Sequence, residues 1–180
     1  NVAVGGAALL SNNTTNYNTA VGKGALQLNT ESNNTAVGYQ ALTANTTGTN
    51  NTAVGYLALD ACTTGAMCIA VGSGALGAVT TGEKNIGIGY LSGAAITTAE
   101  DNVAIGQQAL EGNSTGSRNI AIGTRALDLN TDADNIAIGH EALRTNDSGV
   151  KNVAIGSYAL YSQTNDQKNV AIGYKALEDN

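Results

Sequence analysis

The chain predicts an all-β fold, a parallel β-solenoid of about 11 coils of 16–17 residues running without a break over residues 1–180, and three observations predict it. A nine-residue phrase (Asn, Val/Thr/Ile, Ala, Val/Ile, Gly, two free positions, Ala, Leu) returns eleven times, starting at Asn1, Asn18, Asn34, Asn51, Cys68, Asn85, Asn102, Asn119, Asn135, Asn152 and Asn169. The spacing is 17 residues, with two gaps of 16. Each phrase opens with β-branched and small residues in alternation, as in Asn102-Val103-Ala104-Ile105-Gly106. A fixed short period marks units that cover one another and are not stable alone. One array and no linker follow.

The opening five residues read as a strand. Positions 2 and 4 carry β-branched side chains, which suit a pleated surface, and a helix would lose roughly 1 kcal/mol at each recurrent Gly. Alternation places Val103 and Ile105 on one face and Ala104 and Gly106 on the other. The Val/Ile face is expected to fill the interior. Two readings stand for the Ala/Gly face: the Gly ends the strand at a turn, or the small face is a second buried contact around a trimer axis. The Ala-Leu pair, as at Ala109-Leu110, forms either a second short strand or a tight turn, with Leu plugging the interior opposite Ile105. The remainder is turn chemistry, as in Asn45-Thr46-Thr47-Gly48-Thr49-Asn50. Both 16-residue repeats lose their residue there, between Asn29 and Asn34 and between Asn130 and Asn135, where a deletion leaves the strand faces in register.

Asn recurs at position 1, at Asn18, Asn34, Asn51, Asn102, Asn119, Asn135, Asn152 and Asn169 among others, and at position 12, at Asn12, Asn29, Asn45, Asn113, Asn130, Asn146 and Asn180. Equivalent residues of stacked coils lie about 4.8 Å apart, so these Asn predict structural hydrogen-bonded ladders. Cys62 and Cys68 replace ladder Asn at a twelfth position and the following first position. Paired replacement suggests a Cys62–Cys68 disulfide and an extracellular chain; the other reading makes Cys62 merely apolar, since Val79 and Ile96 follow it in the same column. The repeat from Asn85 departs from the pattern, with Gly87, Ser92 and Gly93 in place of Ala, Ala and Leu, and Ile96 is expected to turn inward and fill the space.

Composition narrows function. A net charge of −6 without a basic stripe disfavours nucleic acid, and no apolar run approaches the roughly 18 residues of a membrane span. There is no signal-peptide pattern and no initiating Met, so the chain reads as a mature product or an excised segment, with ends expected to continue or to meet another subunit. No catalytic constellation is present. His140 is the single histidine and has no Ser, acid or metal-ligand set around it. Acids in the turns, at Glu100-Asp101, Asp132, Asp134 and Asp166, do not recur at one position and lack the calcium β-roll pattern. No enzyme activity, metal or cofactor is expected. Positions 6 and 7 vary freely, and their side chains (Tyr39, Tyr56, Tyr90, Arg125, Tyr158 and Lys175) are candidate surface contacts for a glycan or a protein; they equally serve to cover neighbouring apolar area.

The phrases Asn152-Val153-Ala154-Ile155-Gly156 and Asn169-Val170-Ala171-Ile172-Gly173 resemble the head repeats of trimeric autotransporter adhesins, the YadA-like family, and related repeats of phage tail fibres and bacterial surface fibres. The resemblance covers the whole chain through its eleven copies. It implies a left-handed β-roll, three chains around one axis, and a role in attachment to matrix proteins, glycans or a host surface, with the chain at a cell or virion surface. The repeat here is longer, with Ala-Leu after the strand and an enlarged Asn/Thr loop. An extracellular fibre segment in adhesion or host recognition is the leading expectation. A filament subunit stacking end to end through matching coils is the alternative. An ice-binding solenoid is the third, but its Thr column begins at Thr19, Thr35 and Thr52 and stops at Ile69, Ile86 and Val103.

Overall fold

The computed structural model describes residues 1–146, 148–163 and 167–178. Every coil contributes one three-residue strand at positions 2–4: β1 (Val2–Val4), β2 (Thr19–Val21), β3 (Thr35–Val37), β4 (Thr52–Val54), β5 (Ile69–Val71), β6 (Ile86–Ile88), β7 (Val103–Ile105), β8 (Ile120–Ile122), β10 (Ile136–Ile138), β12 (Val153–Ile155) and β14 (Val170–Ile172). They form one parallel sheet of eleven strands in chain order. The pairing is in register at repeat positions, so Val4, Val21 and Val37 lie one above another. Register also survives both 16-residue coils, where Thr19 pairs Thr35 and Ile120 pairs Ile136. The deletions therefore fall in loops, as expected. Three two-residue strands, β9 (Leu129–Asn130), β11 (Thr145–Asn146) and β13 (Ser162–Gln163), make a second small parallel sheet at positions 11 and 12.

The faces of the main sheet are the reverse of the expectation. Ala20, Ala36, Ala53, Ala70, Ala104, Ala121, Ala137 and Ala154, all at position 3, have no solvent exposure, whereas no Val or Ile at position 2 or 4 is buried. The cause lies on the opposite wall. Leu26, Leu42, Leu59, Leu76, Leu110, Leu127, Leu143 and Leu160, all at position 9, are fully buried. With a Leu entering each coil from one wall, the other has room only for Ala. Leu thus opposes Ala104 rather than Ile105, and the Val/Ile side chains turn outward.

The Ala-Leu stretch is a tight turn, not a strand. Its residues at positions 7 and 9 sit in left-handed backbone, as Gln108 (φ 56) and Leu110 (φ 54) do in one coil. Such a conformation costs an L-residue roughly 1–2 kcal/mol. At Leu110 it is offset by full burial of the side chain, worth about 1.5–3 kcal/mol, and by donation of its N–H to Ala126 O at 2.9 Å in the next coil. The recurrent Gly at position 5 has a double cause: Gly106 has φ +132, and a Cβ there would lie 2.6 Å from the carbonyl oxygen of Gly123.

In the divergent coil Ile96 does turn inward and is fully buried. A Cβ on Gly93 would meet Ile96 Cδ1 at 3.0 Å and Leu76 Cδ2 at 2.8 Å, and one on Gly87 would meet Leu76 Cγ at 2.7 Å. Ile96 and Leu76 fill the space that both glycines vacate.

Candidate interaction surface

Two features distinguish this solenoid: a buried polar ladder that fixes its coils, and an apolar ribbon that none of the described residues covers. The ladder runs along position 1. Asn18 N–H donates to Asn1 Oδ1, Asn34 to Asn18, Asn51 to Asn34, and Cys68 to Asn51, at 2.9–3.0 Å. It resumes with Asn102 donating to Asn85 and continues to Asn119, Asn135, Asn152 and Asn169 at 2.9–3.1 Å. In the coils from Asn18 to Asn135 the Nδ2 of the ladder Asn closes its own coil by donating to a turn carbonyl, as Asn51 does to Gly65 O (2.8 Å) and Asn102 to Gly116 O (3.0 Å). At position 12, Asn45 Nδ2 donates to Asn29 Oδ1 and Asn146 Nδ2 to Asn130 Oδ1. The predicted Asn columns are therefore brought together in the interior, where they satisfy backbone. Asn180 and Asp166 lie outside the described residues.

Cys62 and Cys68 are buried free thiols, each donating to a turn carbonyl, Cys62 to Gly65 O and Cys68 to Gly82 O, at 3.5 Å. Burial pushes the Cys62 thiol up to about 12 and raises that of Cys68. Cys68 interrupts the ladder, presenting sulfur rather than an Oδ1 to the Asn85 N–H.

The ribbon is the outer face of the main sheet. Of its 22 side chains at positions 2 and 4, 19 are Val or Ile and the others are Thr19, Thr35 and Thr52. Ile69, Val71, Ile88 and Ile155 stay 36–39% exposed, and their mid-chain neighbours, such as Ile105 and Ile122, are half-buried. Thr19, Thr35 and Thr52 are half-buried members of this ribbon rather than part of a separate hydroxyl face.

The ribbon has two edges. The leading edge is position 17, where the backbone bends with positive φ at Lys84, Asp101, Arg118, Asp134, Lys151 and Lys168. Arg118 Nε and Asp134 Oδ1 form an ion pair of 2.7 Å there, which holds the Asp134 carboxyl below its usual range. The trailing edge is position 6, just past the Gly bend, and holds Tyr39, Tyr56, Tyr90, His140 and Tyr174. Tyr39 and Tyr56 stack with ring centroids 5.5 Å apart, and Tyr90 is exposed.

The candidates at position 7 lie beyond that edge and are engaged within the chain. Arg125 Nε donates to Gln108 Oε1 at 3.2 Å. Tyr158 packs edge-on to His140 and Tyr174. Lys175 Nζ stands 5.8 Å over the rings of both Tyr158 and Tyr174 and pairs with Glu178 at 2.9 Å, which raises its pKa. Sequence reasoning missed a further cluster in these coils. Arg144 Nη1 donates to Tyr161 Oη at 2.7 Å and lies 3.7 Å from Glu141, while its Nε lies 3.5 Å from Asp128. Its signal was available: Asp128, Arg144 and Tyr161 share position 10 of successive coils.

Among the described residues no pocket opens in the surface, no three His, Cys, Asp or Glu gather as a metal site, and no helix is long and apolar enough to cross a membrane. No protein-family model, curated protein or solved structure matches the chain.

Proposed function

We propose that the chain is a structural segment of a surface fibre, assembled from copies of itself through the Val/Ile ribbon, and that its other sides serve attachment to a glycan or protein surface. The observation that carries this reading is the uncovered apolar ribbon along all eleven strands. Fully burying a Val or Ile is worth about 1.5–3 kcal/mol at about 25 cal/mol per Å², or roughly 60–120 Å² each; with roughly a third still exposed on average, 19 such residues offer roughly 400–750 Å² per copy. With the side chains along its two edges, that approaches the about 800 Å² per partner of a stable protein interface. Eleven coils at about 4.8 Å give a rod on the order of 50 Å, stiffened by hydrogen bonds along its axis.

Three copies of a left-handed roll, with ribbons meeting on a common axis, is the arrangement favoured by the resemblance to trimeric adhesin heads. The contact is then the Val/Ile face rather than the Ala/Gly face first considered. Light scattering tests it: the expected mass is three times the 18.0 kDa chain, and replacing two mid-ribbon residues (Ile105→Asp with Ile122→Asp) yields single copies that keep a β-type far-ultraviolet spectrum. Unaltered protein that stays monomeric when concentrated overturns the reading. Micrometre filaments in the electron microscope would favour the end-to-end alternative.

A further inference from the structure

If copies meet through the ribbon, its two edges decide how. We propose that the position-17 edge of one copy packs against the position-6 edge of the next at the same coil level, so that the copies run parallel and in register, with Asp134–His140, Lys84–Tyr90 and Lys168–Tyr174 as interchain pairs. This rests on the ribbon contact proposed above and goes beyond it in assigning orientation, level and the residues that set them.

Symmetry limits the choices. In a parallel, cyclic arrangement the leading edge of each copy meets the trailing edge of its neighbour. In an antiparallel two-fold pair each edge meets itself with the coil order reversed. The leading edge is charged only from Lys84 onward, at Lys84, Asp101, Arg118, Asp134, Lys151 and Lys168; before that it holds Tyr17, Asn33, Asn50 and Met67. Antiparallel packing with all eleven strands overlapped would set Asp134 against Asn33, Arg118 against Asn50, Lys151 against Tyr17 and Lys84 against its own copy, so these charges gain no opposite partner.

The parallel arrangement offers each charge a group suited to it. Six residues separate the two edges within a coil, so every leading-edge residue faces the residue six places further on in the neighbouring copy. Lys84 and Lys168 meet Tyr90 and Tyr174, which are 53% and 72% exposed; an ammonium over an aromatic face is an attractive contact. Asp101 meets the amide of Gln107, and Asp134 meets the imidazole of His140. Arg118 and Lys151 meet the hydroxyls of Thr124 and Ser157. No level places like charges together. Complementary edges of this kind fix register and exclude wrong pairings more than they add affinity.

Single-cysteine cross-linking tests the assignment. A size-tagged Asp134→Cys chain co-expressed with a His140→Cys chain should give a mixed disulfide under mild oxidation, because a disulfide forms only where Cα atoms come within about 7 Å. Tagged Asp134→Cys with Asn33→Cys, the antiparallel partner, should give none. The chain's own cysteines are fully buried and remain outside the reaction. Lys84→Cys with Tyr90→Cys repeats the parallel test at another level, should the first pair fail to fold. An oligomer that links position 33 to 134, or that gives neither parallel link, overturns the edge assignment while leaving the ribbon contact standing. A protein that is monomeric before any substitution overturns both.

Discussion

Replacing Asn102 by Ala tests the ladder where it is most regular. Asn102 Oδ1 accepts the Asn119 N–H at 2.9 Å, and its Nδ2 donates to Gly116 O at 3.0 Å and to Asn85 Oδ1 at 3.1 Å. All three partner residues are buried, so water cannot readily take the place of the lost amide. The Gly116 carbonyl keeps the Asn113 Nδ2 donor at 2.7 Å, so the Asn119 N–H is the group left unsatisfied, and one unsatisfied buried backbone group predicts a loss of about 1–3 kcal/mol. Urea unfolding followed by far-ultraviolet circular dichroism, at one fixed protein concentration, measures it as a lowered midpoint at constant slope. Thr115→Ala, on the exposed outer turn of the same coil, should stay within about 0.5 kcal/mol. A loss at Asn102 no larger than that would refute the view that the column holds the coils together. The converse substitution is informative too. Between Asn1 and Asn169 the N–H to Oδ1 chain lacks only the step from Cys68 to Asn85, so Cys68→Asn should complete it and raise stability by about 0.5–1.5 kcal/mol.

The interior and the thiols give the remaining expectations. Leu127→Ala, at a fully buried position, should cost about 2–5 kcal/mol, while Leu129→Ala, half exposed on the outer wall, should cost less than about 0.5 kcal/mol; similar losses at both would contradict the inward position of Leu127. Cys62 and Cys68 should resist a thiol reagent at pH 8 in the native protein and release two thiols after denaturation, and the absence of thiols after denaturation would show an oxidised pair instead. The Cys62 thiol has its folded pKa raised from 9.0 to about 12, so between those values the unfolded chain holds fewer protons than the folded one. Stability should therefore fall as pH rises from about 9 towards 12, and less steeply in Cys62→Val, as unfolding midpoints across that range would reveal.

Much of the architecture was legible because period carries it. The strand phrase, the loop position of both deletions and the inward turn of Ile96 all follow from comparing one coil with the next. The orientation of the sheet was not legible from hydrophobicity. Val and Ile are more often buried than exposed, and alternation gives two faces without saying which is inside. The discriminating sign was Thr19, Thr35 and Thr52, because a hydroxyl at position 2 in three successive coils fits an outer face better than an apolar interior. The left-handed turns were also hidden. Leu has no preference for positive φ, and only the paired need to reverse the chain and to insert Leu127 between Ala121 and its stacked equivalents accounts for it. The ribbon edges were half visible: the variable tyrosines of position 6 were singled out as surface residues, but position 17 was not, because its mixed charges show no pattern until the coils are stacked.

A narrow interior explains why the polar ladder and the outward ribbon occur together. Each regular coil buries one Leu and two Ala, little apolar area for 16 or 17 ordered residues that each lose about 1–2 kcal/mol of backbone entropy. The turns add polar carbonyls that the small core cannot satisfy with apolar atoms, and Asn at position 1 is suited to this, since one side chain accepts from the next coil and donates to its own. Where the column loses Asn, the interior changes in concert: Cys62, Val79 and Ile96 follow one another at position 12, all fully buried, and apolar packing takes over beside the single missing rung. The ladder specifies register without supplying much net energy, because each bond replaces one to water. The further apolar burial that the coils lack inside is present outside, on the Val/Ile face, and becomes available only when a second copy covers it.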